Sequence, residues 1–217
     1  MNDQVLQTND QVLQVRVLGL IASGDIKKAA VMALYGDGEN DGQDGHGHHI
    51  YAWLRGVMKD DHDADEVFNE FFLAVFEDIG SYRGDGPLKS WLYRVARNTA
   101  HTFWRNRNQR REVPLGVDDE VIQKARTSTK EWKKSTVKDA FQLLRLELSE
   151  EEQTLLILRV DRDMDWEDVA RVFIDVNEST PSDALPKEVN RLKQQFSRVK
   201  KKLKKLAIER KLLPQEG

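Results

Sequence analysis

The chain has 217 residues, 34 Lys+Arg against 37 Asp+Glu, a net charge of −3 and no cysteine. Disulfides, thiolate nucleophiles and cysteine-ligated zinc are therefore excluded, which fits a reducing compartment. No run of about eighteen apolar residues exists to cross a membrane, and MNDQVLQTNDQVLQ lacks the basic-then-apolar layout of a secretion signal, so a soluble cytoplasmic protein is expected.

Charge is segregated along the chain. Residues 1–80 hold 15 acidic and five basic residues, and 81–112 hold eight basic and two acidic. Residues 137–186 hold 13 acidic and five basic, and 187–217 hold 11 basic and three acidic. Nucleic acid should meet the basic blocks while another partner meets the acidic ones.

The NDQVLQ repeat at 2–7 and 9–14 reads as a disordered tail, residues 1–14. VRVLGLIASGDIKKAAVMALYG (15–36) predicts two short helices broken at Ser23-Gly24-Asp25, and DGENDGQDGHGHH (37–49) a polar loop. Helix resumes over 50–60. In DADEVFNEFFLAVFEDI (63–79), Val67, Phe71, Ala74, Val75 and Ile79 share one face, leaving Asp65, Glu66, Asn69 and Glu70 off it. Gly80, Gly84, Gly86 and Pro87 mark a loop, and Ser90 is the expected cap of a helix from Trp91 to about Arg111. There Leu92, Val95, Ala96 and Thr99 make the core stripe. Arg94, Arg97, Asn98, His101 and Arg105 project around the other side, with Trp104 near them. Cations of this kind neutralise phosphates, and rings stack on bases that have left a duplex. A plain solvated basic helix has the same composition.

Residues 112–135 read as a linker. Helices follow over 137–148, over 149–160 with a Ser149/Glu152 capping box, and over 165–173 with Asp165 as cap. IDVNESTPSDALP (174–186) interrupts. Pro186 opens a long amphipathic helix over 187–213, whose Val189, Leu192, Phe196, Val199, Leu203 and Leu206 step by three and four. That spacing also fits a coiled-coil seam. No strand is expected. The fold class is all-α, with helical domains 15–111 and 136–213 joined by the flexible linker.

Taken in order, IASGDIKKAAVMALYG, DADEVFNEFFLAVFEDIGSYRGDGPLKSWLYRVARN and LSEEEQTLLILRV…MDWEDVARVF…RLKQQFSRVKKKL resemble the extracytoplasmic-function sigma factors of bacterial RNA polymerase. The resemblance implies that Asp65, Glu66, Asn69 and Glu70 dock on core polymerase; the family usually has Gln where Asn69 stands. It implies that Tyr82 and Asn98 hold unstacked bases of the minus-ten element, with Arg83, Arg94, Arg97, His101 and Arg105 on phosphates and Trp104 beside them. The second domain is then a helix-turn-helix for the minus-thirty-five element, with Asn190, Arg191, Lys193, Gln194 and Arg198 at the groove. The segment 174–186 exceeds the family's short turn. Core polymerase, promoter DNA and an anti-sigma factor are the implied partners, without cofactor or catalysis.

Two other readings of the residues stand beside this. One is a helix-turn-helix regulator acting without polymerase. The other is a hydrolase built on HGHH (46–49) and its neighbours Asp37, Glu39, Asp41 and Asp44. Read from Asp37, that loop begins like a calcium site, but His48 stands where a bidentate Glu is needed. Zinc or nickel would use the histidines instead. The expectation is a polar loop, inserted relative to the family, with no metal ligands.

Overall fold

The structure is a computed structural model that describes residues 3–37, 45–58, 60–111, 144–174, 181–210 and 212–213. These carry eight α-helices and no strand. They are α1 (Asp3–Ala22), α2 (Ile26–Tyr35), α3 (Gly47–Val57), α4 (Asp61–Asp78), α5 (Leu88–Arg111), α6 (Glu150–Leu156), α7 (Trp166–Phe173) and α8 (Ala184–Glu209). The linker expected over 112–135 and the start of the helix expected over 137–148 lie outside the described residues.

The break between α1 and α2 falls at Ser23-Gly24-Asp25, where Gly24 takes a φ of 80° that other residues rarely adopt. Asp25 then caps α2, its carboxylate accepting the Lys28 N–H at 3.4 Å. The N-terminal stretch departs from the expected frayed tail, since α1 already begins at Asp3. Its second half is anchored: Leu13 is buried, Gln14 Oε1 accepts the Leu88 N–H at 3.1 Å, and Asp10 lies 3.4 Å from Lys89 Nζ. None of these partners is near in sequence, so local composition could not reveal them.

The centre of the molecule is α4 on α5, backed by α2 and α3. Val67, Phe71 and Val75 of α4 meet Leu92, Ala96 and Ala100 of α5, with Ile50, Trp53 and Leu54 from α3 in the same cluster. Ala29, Ala30 and Ala33 let α2 approach closely. Helix α5 starts at Leu88 instead of Trp91, because the Pro87 carbonyl accepts from both Ser90 and Trp91 N–H groups (3.0 and 3.2 Å). Ser90 is thus inside the first turn and does not cap it, and its hydroxyl is buried without a hydrogen-bond partner.

In the C-terminal module the Ser149/Glu152 capping box forms, with Ser149 N–H to Glu152 Oε2 at 2.9 Å and Glu152 N–H to Ser149 Oγ at 3.3 Å. A wider π-type turn, Ile157–Asp161, ends α6. Asp165 precedes α7 but makes no side-chain cap, serving through its carbonyl to Val169 N–H at 2.9 Å. Helix α8 starts at Ala184, so Pro186 is its third residue and not its first; a missing N–H is harmless anywhere in that first turn. Helix α8 packs on α7 and α6, with Trp166 edge-on to Phe196 at 5.5 Å. The module is not remote from the rest. Helix α7 packs on α5, α6 on α3, and Leu155, Leu158, Val169, Val172 and Leu192 belong to the same buried cluster as Phe71 and Leu92.

Candidate nucleic-acid interface

Helix α4 is started by Asp60, whose carboxylate accepts from His62 N–H at 2.8 Å and Asp63 N–H at 3.4 Å. With Val67, Phe71 and Val75 turned inward, the helical period leaves Asp65, Glu66, Asn69 and Glu70 exposed. They are not equivalent. Asp65 Oδ1 accepts the Tyr51 hydroxyl at 2.6 Å, which ties it to α3 and raises the tyrosine pKa above its ordinary value. Glu66, Asn69 and Glu70 form the open part of the face. Sequence reasoning missed Leu73, which lies one turn beyond Asn69 and is 62% exposed. An apolar side chain this exposed, amid Glu70 and Glu77, was visible only as a residue left out of the core stripe.

The loop before α5 turns Tyr82 inward. Tyr82 is expected from the sequence to offer its ring to bases, yet it is buried, with its ring 5.8 Å from Trp91. Its hydroxyl donates to the Gly86 carbonyl at 2.7 Å, and burial, then the charge of Asp85, pushes its pKa upward. The reason is the tight turn: Gly84 has a φ of 83°, which folds the loop back over the ring. Here Tyr82 shapes the loop and leaves Arg83 exposed beside it.

Along α5 the expected residues divide between two sides. Asn98 is exposed and lines a groove between α4 and α5 with Glu70, Ala74, Asp78, Val95, Thr99 and Thr102. Arg105 is also exposed, while Arg94 and Arg97 are half-buried. Arg97 lies over the Phe173 ring of α7, 4.7 Å from its centroid. His101 stands edge-on to Trp104 at 5.4 Å, and Trp104 leans on the core. Burial and the Arg97 charge lower the His101 pKa, so the ring is an uncharged hydrogen-bonding group at neutral pH.

On α8, Asn190, Lys193, Gln194 and Arg198 are exposed, with Lys193 Nζ 5.9 Å over Trp166. Arg191 is engaged elsewhere. Its guanidinium forks onto Glu188 at 2.8 and 2.6 Å and reaches Glu151 at 3.1 Å and Gln195 at 3.1 Å. The bonds to Glu188 drive its pKa further upward. The acidic partners sit within one turn and across on α6, a pairing that spacing alone did not single out.

The polar loop expected over 37–49 is shorter than that at its end: α3 begins at Gly47, so His48 and His49 lie in its first turn and His46 just before it. Gly45 and Gly47 let this segment fold inward, since a Cβ at either would meet Leu34 backbone at 2.3 or 2.8 Å. His46 is buried, its Nε2 without a hydrogen-bond partner and 4.0 Å from Asp10. His49 Nδ1 faces Arg162 Nη1 at 2.7 Å. Among the described residues no three His, Asp or Glu side chains gather as metal ligands. Burial is the main reason that both histidines titrate near 4 instead of 6.5, with Asp10 opposing it and Arg162 adding to it at His49.

Folded His46 and His49 refuse protons that the unfolded chain takes up, so stability falls as pH drops from about 6.5 to about 4. For His46 alone the loss across that window is of order 3 kcal/mol. Asp168, whose pKa burial raises, acts with the opposite sign near the acid end. Urea midpoints should therefore decline between about pH 7 and about pH 5 in the wild type, and less in His46→Gln. A flat wild-type profile would contradict this account.

Residues 44–111 match the family described as Sigma-70 region 2. RNA polymerase sigma-H factor of Pseudomonas aeruginosa is 28% identical over 138 residues, 58% of this chain and 69% of that one. RNA polymerase sigma factor YlaC of Bacillus subtilis is 22% identical over 111 residues, 51% of this chain and 64% of that one. CnrH, solved in complex with the cytosolic domain of CnrY, shares the fold at TM-score 0.54 and 17% identity, over 93% of this chain and 98% of that one. Residues 44–111, where the acidic α4 is set against the basic, aromatic α5, are thus a Sigma-70 region 2 domain. The chain is homologous to sigma factors of the extracytoplasmic-function type. Sigma factors are not enzymes as a class. Among the described residues no helix is long and apolar enough to cross a membrane.

Proposed function

We propose a division of labour among three surfaces of this sigma factor. The chain directs promoter-specific initiation by binding core RNA polymerase and promoter DNA. Glu66, Asn69 and Glu70, with Leu73 as apolar anchor, dock on core, and Asp65 braces the face through Tyr51. Asn98 and Arg105 meet the melted minus-ten strand, with Arg83, Arg94, Arg97, His101 and Trp104 completing the surface, while Tyr82 holds the loop in shape. Asn190, Lys193, Gln194 and Arg198 face the minus-thirty-five duplex; Arg191 joins them only on leaving Glu188.

Residues 15–111 and 136–213 are the two functional domains in this reading, joined through 112–135. The protein acts in the cytoplasm, catalyses nothing itself, and is open to control by an anti-sigma factor. The observation that carries the reading is the pairing on adjacent helices: carboxylates exposed on α4 and an exposed amide with cations on α5. Binding energy for separated strands pulls the duplex open without nucleotide hydrolysis. The test is initiation in vitro. Purified chain added to core polymerase should give transcripts from a promoter subset that core alone ignores, and neither partner alone should hold that DNA. Tight, specific duplex binding by the isolated chain, with no effect on core, would favour a polymerase-independent regulator instead.

A further inference from the structure

We propose that the cavity enclosed by α1, the residue before α3, the loop leading into α5 and the first turn of α7 binds a small organic dication of the alkyl diamine class. The site lies apart from the polymerase-facing and DNA-facing residues assigned above, and the proposal stands independently of them.

The cavity holds about 480 Å³, within the span of roughly 300–1,000 Å³ usual for small-molecule sites. Asp10, His46, Asp85, Lys89, Asp165 and Asp168 line it, so four carboxylates face one lysine. Lys89 Nζ lies 3.4 Å from Asp10 and 3.8 Å from Asp168, both longer than a close charged hydrogen bond. The lysine shows which chemical group these carboxylates accept, yet it leaves negative charge in excess. At Asp168 burial outweighs the charges of Lys89 and Arg171 and raises the carboxyl pKa, so the cations nearby undercompensate it.

His46 supplies the independent observation. It is 6% exposed, it borders the cavity, and its Nε2 is buried without a hydrogen-bond partner, 4.0 Å from the Asp10 carboxylate. Buried polar atoms are rarely left in that condition. Burial keeps the ring uncharged at neutral pH, and with the proton on Nδ1 the Nε2 lone pair accepts from an N–H donor. An ammonium seated between two acceptors 4.0 Å apart can donate to both at ordinary hydrogen-bond lengths. A metal ion finds too few ligands here, because among the described residues no three His, Asp or Glu side chains gather to hold one.

Two ammonium groups follow from the depth of the cavity. His46 is buried and Asp168 half-buried, whereas Asp85 and Asp165 are exposed, and Asp165 makes no side-chain cap to α7. One ammonium is held inside by Asp10, His46 and Asp168. The other, a short alkyl chain away, meets the carboxylates at the mouth, with Pro87 and Leu88 beside the methylenes.

The test uses the full-length protein and 1,4-diaminobutane at constant ionic strength. Calorimetric titration should give one diamine per chain. The His46 ring-nitrogen resonance, identified by its loss in His46→Gln, should move along the same saturation curve. Asp10→Asn and Asp168→Asn should each bind about tenfold more weakly, whereas Lys89→Met, which withdraws the competing ammonium, should bind about tenfold more tightly. These opposite signs keep the test decisive even if one carboxylate variant fails to fold. Many diamines per chain, weakened equally by Glu77→Gln at an exposed position outside the cavity, would reduce the binding to attraction by an acidic surface and overturn the site. An unmoved His46 resonance would overturn it as well. The same shift produced by magnesium chloride alone would overturn the organic cation, and equal affinity for n-butylamine would overturn the second ammonium.

Discussion

Reversing Glu66 and Glu70 together to arginine should lower affinity for core RNA polymerase by about 100-fold, with the melting curve of the free protein little changed. The magnitude follows from two like-charge juxtapositions at a surface that carboxylates otherwise complement, each worth more than an exposed intramolecular ion pair. The fold survives because both side chains are exposed and point away from Val67 and Phe71. Asp65 is a poorer choice for this test, since its loss also strands the Tyr51 hydroxyl. Adding Leu73→Ser should weaken binding further, chiefly through faster dissociation, as expected for an apolar anchor within a charged rim. Titration of labelled variants into core measures both effects, and unchanged affinity of the double reversal would remove α4 from the docking surface.

Tyr82→Ala costs about 3–5 kcal/mol of stability, in the range for removing a buried aromatic ring. Tyr82→Phe costs only about 1 kcal/mol, the net worth of its single hydrogen bond to the Gly86 carbonyl. If the ring worked mainly by stacking on a base, the free protein would barely feel either change. Thermal or urea unfolding of both variants settles the matter, and it cautions against reading an alanine phenotype at this position as lost DNA contact.

The legibility of the sequence varied with the range of the interaction. Helix-internal signals were read well: the glycine break before α2, the inward stripe of α4 and the Ser149/Glu152 box all depend on neighbours within a turn. Start points fixed by backbone carbonyls were not. Pro87 moved the beginning of α5 back to Leu88, and α8 began before Pro186. Partnerships across the chain were invisible. Gln14 with Leu88, His49 with Arg162 and Arg191 with Glu151 join residues far apart in sequence, and no composition window contains both members. The same blindness explains Tyr82. An aromatic between glycines and arginines looks exposed until the loop is seen to fold over it.

For the DNA-facing side, the side-chain types were legible but their states were not. Asn98, Arg105, Lys193, Gln194 and Arg198 stand open as expected, whereas Arg97 lies over the Phe173 ring of α7 and Arg191 is paired with Glu188 and Glu151.

The most direct measurement is permanganate reactivity of promoter thymines around the minus-ten element, read with core polymerase and the Arg97→Ala/Asn98→Ala double variant at concentrations that saturate core. The strand-capture account predicts at least about tenfold less open DNA than wild type. Reactivity equal to or above that of the wild type, from a variant that is folded and fully core-bound, would contradict it.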